Sequence, residues 1–226
     1  MIETVWEDGS KAWYLNGKLH REDGPAVEHR KGNRFWYQMG QLHREDGPAI
    51  EKANVNEWWF QGKQHRVGGP AIEWADGTKE WKQHGHHHRE DGPAIEYADG
   101  SKQWWINGKL HREDSPAQEF SDGSKVWWLD GKLHREDGPA AEYSDGTKEW
   151  YVNGKLHRED GPAVERPNGE KIWYINDTPQ CMEYVDGKKE YWVNGIQPPL
   201  LIAKFIELRE RFFNKSNSSK RVKPGK

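Results

Sequence analysis

One motif limits what this chain can fold into before any other feature. It is a unit of about 23 residues, best displayed as GPAIEYADGSKQWWINGKLHRED from Gly92 to Asp114. Aligned on its Gly-Pro-Ala turn, nine copies begin at Met1, Gly24, Gly47, Gly69, Gly92, Ser115, Gly138, Gly161 and Pro179. A unit this short cannot bury a core alone, so neighbouring copies must stack and share one. The third copy is one residue short near Asn54-Val55. The eighth replaces the Lys-Leu-His-Arg-Glu-Asp stretch with Asp177-Thr178, and the ninth stops after Asn194-Gly195.

Two turn signals punctuate each copy. Asp-Gly stands at 8–9, 76–77, 99–100, 122–123, 145–146 and 186–187, and Asn-Gly at 16–17, 107–108, 153–154 and 194–195. Both dipeptides tolerate positive φ and favour two-residue type I′ hairpins. Between them run aromatic and β-branched stretches of strand length, such as 101–106. A third break, Glu-Asp-Gly-Pro, ends the copy where proline has no N–H to give a ladder.

Strand alternation assigns faces. The first aromatic of each pair is Trp13, Trp36, Trp58, Trp81, Trp104, Trp127, Trp150, Trp173 or Tyr191, and Leu15, Phe60, Ile106, Leu129, Val152, Ile175 and Val193 follow two residues later. That face reads as the core. The neighbouring aromatics point the other way and make a second stripe: Tyr14, Tyr37, Trp59, Trp105, Trp128, Tyr151, Tyr174 and Trp192. Ala26, Ala49, Ala71, Ala94, Ala117, Ala140 and Ala163 recur at one position, where a small side chain leaves room for a ring. With 14 Trp, 33% hydrophobic residues and a mean hydropathy of −1.17, such a core is one or two rings thick.

The pattern changes after Gly195. Leu201, Phe205, Leu208 and Phe212 recur at helical spacing, with Ile202, Ile206 and Phe213 beside them. The spacing predicts one amphipathic helix over 199–213 that caps the last repeat, with dimerisation or membrane contact as its other readings. The chain thus divides into a repeat domain (1–197), a C-terminal helix (198–213) and a basic disordered tail (214–226). The single cysteine, Cys181, the lack of a leader-like N-terminus and the lack of any bilayer-length apolar run point to the cytoplasm. The net charge of −3 argues against nucleic acid as the partner.

Segments such as Asn107-Gly108-Lys109-Leu110-His111, followed by Pro116 and by Phe120-Ser121-Asp122-Gly123, resemble the MORN-repeat variant class over residues 1–195. The Arg-Glu-Asp after the His departs from the usual pattern of that class, which has Gly there. Repeats written KLHREDGPA also resemble those of phage and large-virus proteins. The resemblance implies an all-β, elongated, single-layer array of antiparallel β-hairpins that scaffolds proteins or, in some members, contacts lipid. It implies no catalytic residues. Choline-binding aromatic repeats share the Trp-Trp and Asn-Gly signals but not the charged loop.

The His-Arg-Glu-Asp loop is the most visible chemical candidate. It is intact at 20–23, 43–46, 88–91, 111–114, 134–137 and 157–160, and becomes His65-Arg66-Val67-Gly68 once. Catalysis needs an asymmetric pocket with groups in distinct environments, whereas copies repeat identical groups at a fixed pitch of about 10 Å. The loop therefore reads as a charged turn, with Arg paired to a carboxylate; Glu28, Glu51, Glu73, Glu96, Glu119, Glu142 and Glu165 are the candidate partners. The crowded His84, His86, His87 and His88 make a weak metal candidate, lacking an evident closed ligand set.

No catalytic residue and no cofactor are assigned. The leading expectation is a non-enzymatic protein-interaction scaffold, in its narrowest form a phage protein that binds and inhibits or redirects a host protein. The alternatives are a module holding a nucleotide or small molecule between aromatic repeats, and a nucleic-acid-binding protein. Candidate binding residues are Trp59, Trp105, Trp128 and Tyr151 on the aromatic stripe, Trp74 in the irregular fourth copy, and Arg112, Arg135 and Arg158 in the loops. The copies departing most from consensus, at 52–68, at Trp74 with 84–88, and at 166–178, are where a particular partner could be specified.

Overall fold

The computed structural model describes residues 1–197, and every regular element among them is a β-strand in antiparallel pairing. The helix expected over 198–213 and the tail at 214–226 lie outside the described residues. The chain divides into two compact units, Met1–Lys132 and a second beginning at Leu133.

In the first unit one meander runs in chain order. Its strands are Ile2–Val5, Lys11–Leu15, Val27–Glu28, Arg34–Phe35, Ile50–Lys52, Val55–Glu57, Ile72–Trp74, Lys79–Glu80, Ile95–Glu96, Lys102–Gln103, Gln118–Glu119 and Lys125–Val126. The second unit follows the same plan with Ala141–Glu142, Lys148–Glu149, Val164–Glu165, Lys171–Ile175, Thr178–Glu183 and Lys189–Tyr191. Beside the meander, full copies add a separate two-stranded hairpin, as in Trp105–Ile106 with Lys109–Leu110 and Tyr151–Val152 with Lys155–Leu156.

The stretch 101–106 reads as one strand but forms parts of two. Trp104 lies between them: its N–H donates to Ala117 O at 2.8 Å and its carbonyl accepts from the His111 N–H at 3.0 Å. These bonds turn the chain out of the meander and into the second hairpin. The two turn dipeptides also differ in kind. Asn107 and Gly108 both have positive φ, 50° and 75°, as a type I′ turn requires. At Asp99-Gly100 only the glycine is positive, at 90°, with Tyr97 N–H bonded to Ser101 O and Gly100 N–H to Tyr97 O. That is a three-residue turn closed by a glycine bulge, and the Asp99 carboxylate accepts the Ser101 N–H at 2.8 Å.

The core also lies elsewhere than on the Trp-and-Leu face. Ala26, Ala49, Ala71, Ala94, Ala117, Ala140 and Ala163 are all 0% exposed, and Val27, Ile50, Ile72, Ile95, Ala141 and Val164 beside them are buried. The first Trp of each copy from Trp13 to Trp173 is only half-buried, and Phe60 and Val193, two residues after such an aromatic, are exposed. From Trp36 to Trp150 the corner at the Trp is the reason. A residue outside both ladders cannot carry the period-two alternation from one to the other.

Register separates two faces of the meander. On one, Lys79, Glu96, Lys102, Glu119 and Lys125 succeed each other across neighbouring strands, opposite charge against opposite charge. On the other stand Ile72, Glu80, Ile95, Gln103, Gln118 and Val126.

Candidate functional site

The His-Arg-Glu-Asp loop ends each full copy, and its groups are tied to the copy that follows. Backbone N–H groups of Arg44, Arg89 and Arg112 donate to the carbonyls of Trp59, Trp105 and Trp128, each at 3.1 Å. Nδ1 of His20, His43, His88 and His134 accepts the N–H of Met39, Gln61, Asn107 and Asn153 at 3.1 to 3.2 Å. An accepting Nδ1 places the proton of the neutral ring on Nε2.

The arginine side chain lies over the first Trp. Its guanidinium carbon is 3.8 to 4.1 Å from the ring centres of Trp13, Trp36, Trp58, Trp81, Trp104 and Trp150. A partly desolvated stack of this kind contributes about 1–2 kcal/mol. Arg89 shows the full set of bonds: Nε to Asp91 at 2.8 Å, and Nη1 to Pro93 O at 3.1 Å and Glu96 at 3.0 Å. The guanidinium beside each one holds the carboxyls of Asp23, Asp46, Asp91, Asp137 and Asp160 below the usual range. The Glu partners expected on the strand are thus in place, with Asp as a further one.

This close stack explains the glycine after the loop. A Cβ at Gly47, Gly92 or Gly161 would sit 2.8 to 2.9 Å from the guanidinium carbon. Ser115 carries that Cβ in the sixth copy. There Arg112 keeps its bonds to Pro116 O and Glu119, both 3.1 Å, but makes none to Asp114.

The candidate binding residues fall on two surfaces. Trp59, Trp105, Trp128 and Tyr151 are half-buried. Their polar atoms are bonded to Glu57, Gln103, Gln118 and Glu149 at 2.8 to 3.1 Å. Trp74 is more open, 38% exposed, and donates to Glu80. Arg112, Arg135 and Arg158 instead bond to Glu119, Glu142 and Glu165 on the charged face. Gln118 and Glu119 are consecutive in one strand, so the tryptophan and arginine sets lie on opposite sides of the sheet. Sequence reasoning missed the acid or amide just before the corner Trp. Its signal was a polar side chain in an otherwise apolar register.

Glu80 is the most perturbed of these anchors. Hydrogen bonds, first from His87 at 2.9 Å and then from Trp74, outweigh burial and hold its carboxyl at about 2. Burial, then the neighbouring Glu149 charge, pushes the Tyr151 phenol up. The four histidines are dispersed. The His84 ring packs on His65 at 4.5 Å between centres, His87 faces Glu80, and the His88 ring is bonded to the next copy. Among the described residues no group of three or more His, Cys, Asp or Glu is placed to hold a metal.

Between successive loops the charged face opens into clefts. One, about 480 Å³, has Trp58 and Phe60 as its floor and Arg44–Gly47 and His65–Val67 as walls. Another, about 500 Å³, has Trp104 and Ile106 as its floor, between Arg89–Gly92 and His111–Ser115. No helix among the described residues is long and apolar enough to cross a membrane. No protein-family model matches the sequence, and a search of curated proteins returned no match.

Proposed function

We propose that the chain is a non-enzymatic scaffold that takes a protein partner along the clefts between its loops. The observation that carries this reading is the recurrence of one cleft design, an aromatic or aliphatic floor between charged walls, in separate copies. Most His, Arg and Asp groups of the walls are engaged in bonds that build the array, so the clefts offer shaped, pre-organised surface rather than activated groups. Aromatic and arginine side chains are the types enriched where protein interfaces gain most of their energy. In its narrower form, resting on the MORN-variant and phage resemblance, the partner is a host protein met in the cytoplasm.

Affinity capture by the full chain, read by mass spectrometry, tests this. Phe60→Lys changes an exposed floor residue and should reduce capture, while Trp74→Ala on the other face should leave it intact. The reverse pattern would move the binding surface to the aromatic stripe, and no capture above background would remove the proposal.

A second reading is favoured by cleft size alone, since 480 and 500 Å³ fall within the range of small-molecule pockets. A small ligand held this way should titrate at several equivalent sites in calorimetry.

A further inference from the structure

The third copy departs from the others in its loop, and the consequence is an arginine edge left open. In five copies the Arg Nε donates to the Asp two residues on: Arg21 to Asp23, Arg44 to Asp46, Arg89 to Asp91, Arg135 to Asp137 and Arg158 to Asp160, all at 2.8 to 2.9 Å. At Arg66 the positions of Glu and Asp are taken by Val67 and Gly68. Arg66 keeps its stack over Trp58 at 3.8 Å and its Nη1 bonds to Pro70 O at 3.0 Å and Glu73 at 2.8 Å. Its Nε–H and Nη2 have no partner among the described residues. A guanidinium fixed on one side and open on the other is a fork aimed at a planar acceptor.

The surroundings narrow the acceptor further. The edge opens into the cleft of about 480 Å³, where the lost acids are replaced by apolar surface. Val67 is 82% exposed and Phe60 37% exposed. On the facing wall Asp46 is already held by Arg44 at 2.8 Å, and Glu45 lies 3.6 Å from His43 Nε2. We propose that the Arg66 cleft binds the carboxylate of an aspartate or glutamate side chain from a protein partner, with an apolar neighbour of that residue against Phe60 and Val67. Five sister copies show the chemistry, because each of them fills the same edge with a carboxylate of its own. Arg112 is the internal contrast. It also lacks the Nε bond, but Glu113 and Asp114 remain beside it and repel an incoming anion.

This proposal rests on the scaffold reading, and its test separates the two. The probe is the peptide N-acetyl-Leu-Asp-Leu-amide, with N-acetyl-Leu-Asn-Leu-amide as the uncharged control. Binding to the full chain is followed through the Arg66 Nε–H resonance. The Asp peptide should shift that resonance and bind at least about tenfold more tightly than the Asn peptide, the effect of one charge-assisted bond. The double variant Val67→Glu/Gly68→Asp rebuilds the consensus loop and leaves Arg66 and Trp58 untouched. It should lose the Asp peptide by a similar factor.

Gly68 has φ +76°, while no Asp at the equivalent position has positive φ, so the rebuilt loop must take the consensus backbone. An independent variant covers failure to do so: Glu90→Val/Asp91→Gly uncovers Arg89 and should raise the stoichiometry from one site to two. Equal binding of both peptides, unchanged binding to the rebuilt loop that has folded, or no second site at Arg89 would each overturn the proposal. Partner capture that persists while the Arg66 resonance stays still would overturn it and leave the scaffold reading standing. Peptide binding without any captured partner would do the opposite.

Discussion

The second to seventh copies and the eighth, which lacks the loop, treat the same tryptophan differently. In the fifth copy Trp104 stands at a corner outside any strand, and the Arg112 guanidinium lies 3.9 Å above its ring. In the eighth, Trp173 is inside the strand Lys171–Ile175, paired with Cys181 of Thr178–Glu183, and the register shifts just after it. Its ring has Lys189 Nζ at 5.4 Å in place of a stacked guanidinium. Removing the loop lets two short hairpins run together into one long one. The loop therefore supplies a lid for the indole, and from the second copy to the seventh it accompanies a split of the sheet into two rows; in the first copy Trp13 has the Arg21 lid at 4.0 Å inside the unbroken strand Lys11–Leu15.

The largest test of that contrast is the ring itself. Trp104→Ala removes the corner and the platform of Arg112, and should cost about 3 kcal/mol in denaturant unfolding. Trp173→Ala should cost clearly less; equal losses would mean that the lid adds nothing. Next comes the lid. Arg89→Ala loses a stack and three hydrogen bonds and should cost about 2 kcal/mol, with Lys recovering less than half because it has no fork. Lys189→Ala, over Trp173, should cost under about 0.5 kcal/mol.

Smaller again is the histidine tie. His88→Phe removes the acceptor of the Asn107 N–H and should cost about 1 kcal/mol, seen as faster amide exchange at Asn107. Ser115→Gly should restore the Arg112–Asp114 bond and stabilise slightly, by about 0.5 kcal/mol.

Acid provides a further comparison, between the fourth copy and the rest. Glu80 titrates at about 2, below its ordinary 4.5, because His87 donates to it. A depressed carboxyl contributes stability that is fully present above the ordinary value and lost as pH falls from about 4.5 through about 2. His87→Gln should raise the Glu80 midpoint toward the ordinary value in carboxyl-carbon NMR. An unmoved midpoint would assign the depression to Trp74 and Lys82 instead.

Much of this was legible before any coordinates. The period, the Asn-Gly type I′ turns, the antiparallel hairpins and the arginine–glutamate pairing all follow from residue types at fixed spacing. The opposite placement of the two aromatics in each pair also follows. What alternation does not reveal is where a ladder stops. Trp104 sits mid-run in an unbroken aromatic stretch, and only its bonds to Ala117 and His111 mark the corner. The Asp99-Gly100 and Asn107-Gly108 turns look alike in sequence, yet the Ser101 N–H bond to Asp99 selects a bulged turn for the first. Gly92 likewise reads as an ordinary turn glycine. Its actual constraint is the Arg89 guanidinium lying where a Cβ would go.

The ties made by the loops all point one way. A loop is held by the hairpin that comes after it, as Arg158 is by the Tyr174 carbonyl, His157 by the Asn176 N–H and Leu156 by the Asp177 N–H. Every loop-bearing copy therefore demands a hairpin after it, whereas the eighth copy meets the ninth through the long ladder of Lys171–Ile175 with Thr178–Glu183. The array has a grammar of growth: a whole unit duplicated ahead of residue 161 brings its own demand and meets the one before it, while the unit that follows the eighth copy is received by a strand ladder in place of a loop.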